Sequence, residues 1–336
     1  NGQLWQYLEV TDGRAHGMYQ EWHSNGKKKL EAFVIEGTPD LTEMAQMTWL
    51  FEDKSYVWDE DGHMIAEIPY EKGSLEGNAF YYHPNGQLSK EIPYHKDEID
   101  GTLNAYNDEG FLIEKMEYRK GLKDGESSGV WDNGDKCYLE IYKKGLLLTA
   151  SYYSFDGSSI SEINNGNGKQ ALFKDGKLYS LIEHQNGLPQ GEVLLFDEDD
   201  CLVGLYHIKD GKKHGDEWEY YPSQHPSPKP KLCLHWDDDS IQGVAKTWYE
   251  NGILESQREI NGNKKHGLCF AWFKEGDLML MEEYEDDILV KGSYFKKWEK
   301  KPISKVENGK GIATLYDSEG HFLRKIIYEK GLPQSE

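Results

Sequence analysis

Three His-Gly pairs are the residues best placed to do chemistry: His16-Gly17 in DGRAHGMYQEWH, His214-Gly215 in DGKKHGDEWEYYP and His266-Gly267 in GNKKHGLCFAWF. Imidazole serves both as a metal ligand and as a general base, so three copies ahead of aromatic clusters raise the question of an active or metal-binding centre. Their context answers it. Counted from a turn glycine, each histidine sits at position +14 of a recurring unit, and other copies of the unit hold Glu76, Asp100, Asp124, Gln190 or Gln242 there. A ligand or base is not exchanged so freely within one chain, and sites one or more hairpins apart do not converge on one point. The histidines read as polar turn residues.

The unit has a period of 24 residues. Gly62, Gly86, Gly110 and Gly134 follow that step, as do Gly77, Gly101 and Gly125, then Gly191 with Gly215 and Gly243 with Gly267. Each unit carries an aliphatic residue at +2, Tyr at +8, Gly at +11 and +15, and an aromatic near +20. PNGQL (84–88) and ENGIL (250–254) place Asn-Gly between alternating apolar and polar residues, which predicts β-hairpins closed by two-residue turns. Tyr70, Tyr94, Tyr118 and Tyr142 are expected to stack, buried, along one face. The fold class is all-β: an elongated single-layer antiparallel sheet, a solenoid of about thirteen hairpin repeats with one short inserted helix.

A longer repeat is superimposed. Residues 150–176 match 292–320, and NGLPQGE (186–192) returns as KGLPQSE (330–336), at offsets of 142 to 144. The expected organisation is the end of one module over 1–61, a six-hairpin module over 62–200 and a second over 201–336. A chain that opens in mid-module on Asn1 suggests a missing N-terminal segment.

The unit, with its aromatic pair, Asn-Gly turn, Leu, Glu, Tyr and DGKKHG, resembles the bacterial variant MORN repeat, also found in YwqK-family antitoxins. The likeness runs over most of the chain and is clearest at 62–134 and 208–276. It implies a scaffolding or binding role and no catalytic residues or cofactors. Antitoxin-like neutralisation of a toxin protein and association with phospholipid are the alternative roles it implies.

Composition narrows the partners. The formal charge of -22 repels nucleic-acid phosphates and anionic lipid, so a basic or neutral protein is the expected partner and a membrane is disfavoured. Cys137, Cys201, Cys233 and Cys269 lack metal-ligand spacing and read as reduced, mostly buried thiols, in keeping with a cytoplasmic location. Gly166-Asn167-Gly168-Lys169 lacks the leading glycine and the Ser/Thr of a phosphate loop, and the acidic turns at 59–62 and 197–200 lack a complete calcium-loop pattern.

Interruptions of the period are the candidate contacts. A 12-residue insertion near 36–56 predicts a helix from about Pro39 to Leu50, capped by Thr38, with an apolar face of Leu41, Met44, Ala45, Met47, Thr48 and Phe51. The proline-rich stretch Pro222 to Pro230 predicts a projecting loop that no ladder extends. The third interruption, YFKKWEKKPISK (294–305), surrounds Trp298 with lysines, which suits an acidic contact or, preferably, internal ion pairs. Met44, Met47, Trp49 and Trp298 are the expected partner-binding residues.

Overall fold

The computed structural model describes residues 4–223 and 227–334. The chain divides into two compact units, Asn1–Asn167 and Gly168–Glu336. Each is an antiparallel sheet in which strands pair with their neighbours in sequence. In the first unit Gly77–Tyr82 pairs with Leu88–His95, followed by Gly101–Tyr106, Leu112–Arg119 and Leu122–Val130. In the second, Ser240–Trp248, Leu254–Asn261, Lys264–Trp272 and Leu278–Glu285 follow the same rule. The expected all-β repeat of hairpins is what the chain forms.

The turns depart from expectation. At Pro84-Asn85-Gly86 only the glycine has positive φ, +84°, and Gly86 N–H donates to the His83 carbonyl at 2.8 Å. This is a three-residue loop, a type I turn closed by a left-handed glycine. Glu250-Asn251-Gly252 forms the same loop without a proline, Gly252 N–H donating to Tyr249 O at 2.8 Å, so Asn-Gly here fills the last two places of a three-residue loop and only the glycine is left-handed. Two-residue turns occur instead at the opposite strand ends. Lys120 and Gly121 have φ of +51° and +73° between the paired residues Arg119 and Leu122, and Lys72-Gly73 and Lys96-Asp97 repeat the geometry. The Gly at +11 is therefore the second residue of this turn.

Both kinds of turn are tied to a neighbouring hairpin. In the two-residue turns, Gly121 N–H donates to Ile99 O at 2.9 Å and Gly145 N–H to Lys123 O at 2.8 Å; in the second unit Asn263 N–H donates to Ile241 O at 3.1 Å. Where Asp or Asn replaces glycine, the side chain adds a second bond: Asp97 Oδ1 accepts from Leu75 N–H at 2.7 Å, and Asn263 Oδ1 from Ile241 N–H at 2.7 Å. At the other edge, Asn85 Nδ2 donates to Asp108 O at 2.6 Å and Asn251 Nδ2 to Lys274 O at 2.9 Å. A backbone group left over at a strand end would otherwise stand unpaired.

The two faces differ. Position +17 is buried on one face, as Ala79, Leu103 and Ser127 in the first unit and Val193, Ala245 and Cys269 in the second. Tyr at +8 lies on that face opposite the +15 glycine, as in the pairs Gly77/Tyr94, Gly101/Tyr118 and Gly267/Tyr284. Of the four tyrosines expected to be buried, Tyr70, Tyr94, Tyr118 and Tyr142 are each only half-buried, because a single-layer sheet leaves their outer edges in solvent. Full burial belongs to Tyr152 and Tyr294, both 0% exposed, where the longer repeat interrupts the 24-residue step.

The insertions are corrected in part. The helix spans only Glu43–Gln46, and its N-cap is Thr42, not Thr38. Leu50 already begins the strand Leu50–Trp58. The nine-residue strand that begins at Leu50 outcompetes the helical spacing of Met47, Thr48 and Phe51. In the proline-rich stretch Pro230 does enter a ladder, opposite Tyr220, which is tolerable because a proline carbonyl still accepts. The centre of that stretch, 224–226, lies outside the described residues.

Gly121→Ala isolates the cost of the left-handed turn, because an added Cβ there meets nothing within 4 Å. The expected loss in urea unfolding is about 1–2 kcal/mol.

Candidate functional site

The face opposite the buried one carries a stripe of aromatics at +18 and +20. In the first unit these positions hold Tyr56 and Trp58, then Phe80 and Tyr82; in the second, Trp218 and Tyr220, Trp248, and Phe270 and Trp272. Alternation along a strand sets both positions on one side, and the cross-strand pairs Tyr56/Glu67 and Glu67/Phe80 keep successive hairpins in line. The rings are half-buried. Trp218 stacks on Tyr220 at 6.5 Å and on Trp248 at 5.8 Å, and Phe270 stacks on Trp272 at 5.8 Å.

Charged groups between the rings are ordered by them. Tyr82 Oη donates to Glu67 Oε1 at 2.8 Å, Lys54 Nζ to Glu67 Oε2 at 3.0 Å, and Lys54 lies over the Phe80 ring. The Tyr82 hydrogen bond and then Lys54 hold the Glu67 carboxyl below its usual range. This surface combines fixed aromatic area with ordered acceptors and donors, the composition of a binding face.

The expected contact residues separate. Met44 and Met47 project from the short helix, 82% and 87% exposed, while Trp49 is 5% exposed. Trp49 packs on Tyr19 at 4.7 Å, and its Nε1 donates to Thr38 O at 2.8 Å. It joins Ala15, Tyr19 and Val34 in a core cluster and drops out of the surface set. Trp298 is 73% exposed on the loop between the paired residues Tyr294 and Ser304. Within that loop Lys297 makes the anticipated internal ion pair, to Glu275 at 2.9 Å.

The histidines sit where polar turn residues belong. His16 Nδ1 contacts Ile35 O at 2.8 Å and His266 Nδ1 contacts Asp286 Oδ1 at 3.2 Å. His214 Nδ1 lies 3.4 Å from Asp237 and 3.3 Å from Asp238, a trio with metal-ligand chemistry but open to solvent. Gly166 closes a two-residue hairpin turn and donates to Leu148 O, so no phosphate loop forms there. All four cysteines are free; Cys137, Cys201 and Cys269 are buried, and burial pushes the Cys137 thiol up to about 12. Among the described residues no helix is long and apolar enough to cross a membrane.

Sequence reasoning missed a duplicated tyrosine-bonded carboxylate, buried at Glu140 and half-buried at Glu282. In the first unit Tyr152 Oη donates to Glu140 Oε1 at 2.7 Å, with Lys123 Nζ 3.6 Å from Oε2. In the second, Tyr294 donates to Glu282 Oε1 at 2.8 Å and Tyr284 to Oε2 at 3.1 Å. Glu140 and Glu282 are 142 residues apart, as are Tyr152 and Tyr294, so the longer repeat was the available signal.

Comparison with known proteins follows the geometry. Residues 75–96 and 241–261 match the family described as the MORN repeat variant. Each of the two units thus carries one stretch of the variant MORN repeat. No curated protein matches. Among solved structures, a chain of the TcdB2-TccC3-TEV crystal structure is 11% identical over 98% of this chain and 22% of that one, with a TM-score of 0.21. The Photorhabdus luminescens Tc holotoxin pore gives 9% identity over 94% and 22%, with a TM-score of 0.15. A porin-like protein from Bacteroides uniformis gives 12% over 78% and 91%, with a TM-score of 0.16. This chain spans about a fifth of the toxin-complex chains.

Two measurements follow from the site. Trp49→Ala should lower stability by about 3–5 kcal/mol, whereas Met44→Ala and Met47→Ala should stay within about 0.5 kcal/mol in the same denaturant assay. Burial, then bonded carboxylates, raise the Tyr19, Tyr82, Tyr138, Tyr284 and Tyr294 hydroxyls, Tyr82 to about 12. A raised folded-state value means stability is intact below the unfolded tyrosine value of about 10 and declines as pH climbs toward the folded value. Spectrophotometric titration should show these hydroxyls ionising together with unfolding above about pH 10.

Proposed function

We propose that the chain is a non-catalytic repeat scaffold that binds another protein through the aromatic face of its hairpins. The observation that carries this is the stripe built from Tyr56, Trp58, Phe80 and Tyr82 in one unit and Trp218, Tyr220, Trp248, Phe270 and Trp272 in the other. Ring stacking and turn-to-turn hydrogen bonds fix these side chains in advance, so little rotamer freedom is lost on docking. Aromatic anchors of this kind dominate interface energies. The charge of -22 supports a partner that is basic or neutral. Met44 and Met47, exposed and conformationally adaptable, add an irregular contact that the repeated face does not offer. The non-catalytic reading is supported by the histidines, each engaged with a neighbouring backbone or carboxylate at a strand end or turn.

The test is affinity capture from source cells, followed by direct binding of the purified partner. Trp248→Ala/Trp272→Ala should weaken that binding by at least about 30-fold, and Met44→Ala/Met47→Ala by less. Unchanged affinity in the tryptophan double variant, with its circular dichroism intact, would remove the aromatic face from the interface. Strong, salt-sensitive sedimentation with acidic vesicles in place of protein capture would favour the phospholipid role.

A further inference from the structure

The second unit carries two irregular features of opposite character on one sheet edge. The first is the loop 295–303, whose Trp298 is exposed between exposed Lys296, Lys300 and Lys301. The second is a groove of about 630 Å³ with an apolar floor of Leu178, Tyr179 and Phe196. Its rim holds Asp175, Asp197, Glu198 and Asp199, with Lys174 and Lys177 as the only basic groups lining it. Lys177 is already engaged with the Glu198 carbonyl. An indole among lysines and an apolar slot with an acidic rim are complementary in shape and sign.

The loop cannot fill its own groove. Both lie at the strand ends that carry the three-residue turns: Phe196 runs into the turn at Asp197–Cys201, and Lys297 holds Glu275 in the turn at Phe273–Asp277. Strands from Leu202–Lys209 to Leu278–Glu285 lie between them, seven counting only those longer than two residues. At about 4.8 Å per strand the separation is roughly 40 Å. A two-fold axis through the same edge, near the turn at Tyr249–Ile253, sets each loop against the groove of a second copy and makes both contacts at once. Reciprocal contacts of this kind close a dimer and leave no open end to extend.

We propose that the chain forms a two-fold homodimer in which Trp298 of each copy enters the Leu178/Tyr179/Phe196 groove of the other, with Lys300 and Lys301 against Glu198 and Asp199. Phe196 holds the +20 position of its unit, so the groove lies where the aromatic stripe meets this edge, and the dimer covers that end of the face while leaving Trp248, Phe270 and Trp272 to a partner.

Sedimentation velocity on the full chain tests it. At about 0.15 M salt, where a screening length of about 8 Å damps the repulsion between two chains of -22 but spares the close lysine–carboxylate pairs, the expected species has twice the chain mass, and at about 0.5 M salt it dissociates. Trp298→Ala should raise the dissociation constant by at least about 30-fold, the weight of one aromatic anchor. Lys300→Glu/Lys301→Glu should abolish the dimer, and so should Glu198→Lys/Asp199→Lys. Combining the two in one chain should restore it, which no folding defect would do. A monomer at about 0.15 M salt overturns the proposal. So does a dimer indifferent to Trp298→Ala, or a charge reversal that the complementary reversal fails to rescue.

Discussion

Every hairpin depends on a backbone that most residues resist. At Gly73, Asp97, Gly121, Gly145, Asp239, Asn263 and Asp287 the second residue of a two-residue turn holds a positive φ while its N–H reaches back to a carbonyl of the hairpin before, as Gly121 does to Ile99 and Gly145 to Lys123. That single bond does two things. It satisfies a donor that the turn would leave unpaired, and it fixes the spacing of one hairpin on the next. Where glycine is replaced, the substitutes are Asp97, Asp239, Asn263 and Asp287, the side chains that best tolerate left-handed backbone. At Asp97 and Asn263 the side chain also returns a second bond to the same neighbour, so the substitution compensates its own strain.

With both edges held this way, the faces are free to specialise. Ala79, Ala245 and their equivalents keep one side closely packed, and the half-buried tyrosines cover the glycines opposite them. The other side holds the stacked rings and the Glu67–Lys54 contacts. Buried Glu140 is the exception on the packed side, retained because Tyr152 and Lys123 meet both of its oxygens. Its counterpart Glu282 is met by two tyrosines, so the two copies solve one desolvation problem with different donors.

The 24-residue step, the all-β class and the placement of His16, His214 and His266 beside the turns were legible because each is a property of repetition. What failed was chemistry that depends on one neighbour. Asn-Gly signals a two-residue turn in general, but here the pair fills the last two places of a three-residue loop whether Pro84 or Glu250 precedes it, and the true two-residue turns hide behind Lys-Gly and Lys-Asp. The helical spacing from Leu41 to Phe51 is real, yet only Glu43–Gln46 coils, because the strand that must pair with Lys28–Glu36 claims the rest. Trp49 has the composition of an interface anchor. Only the three-dimensional position of Tyr19 and the Thr38 carbonyl reveals it as core. The aromatic stripe was half visible, since the +20 position announced itself while the +18 position varies from Phe80 to Asn104 to Lys246.

The asparagine at the three-residue turn also sets a chemical clock. Asn25, Asn85 and Asn251 each precede glycine, the sequence in which a side-chain amide is most readily lost by attack of the following backbone nitrogen. In the folded chain the Gly86 nitrogen is directed to His83 O and the Gly252 nitrogen to Tyr249 O, while both amides are held from the far side by Asp108 and Lys274 carbonyls. The same bonds that space the hairpins thus keep the nucleophile away from its target. Deamidation of a frayed unit would exchange a donor for a carboxylate, set it against a carbonyl oxygen, and deepen the negative charge of a chain already at -22. Damage at one turn would therefore also free the carbonyl of the next, at Asp108 or Lys274, and loosen the spacing of the hairpin that follows.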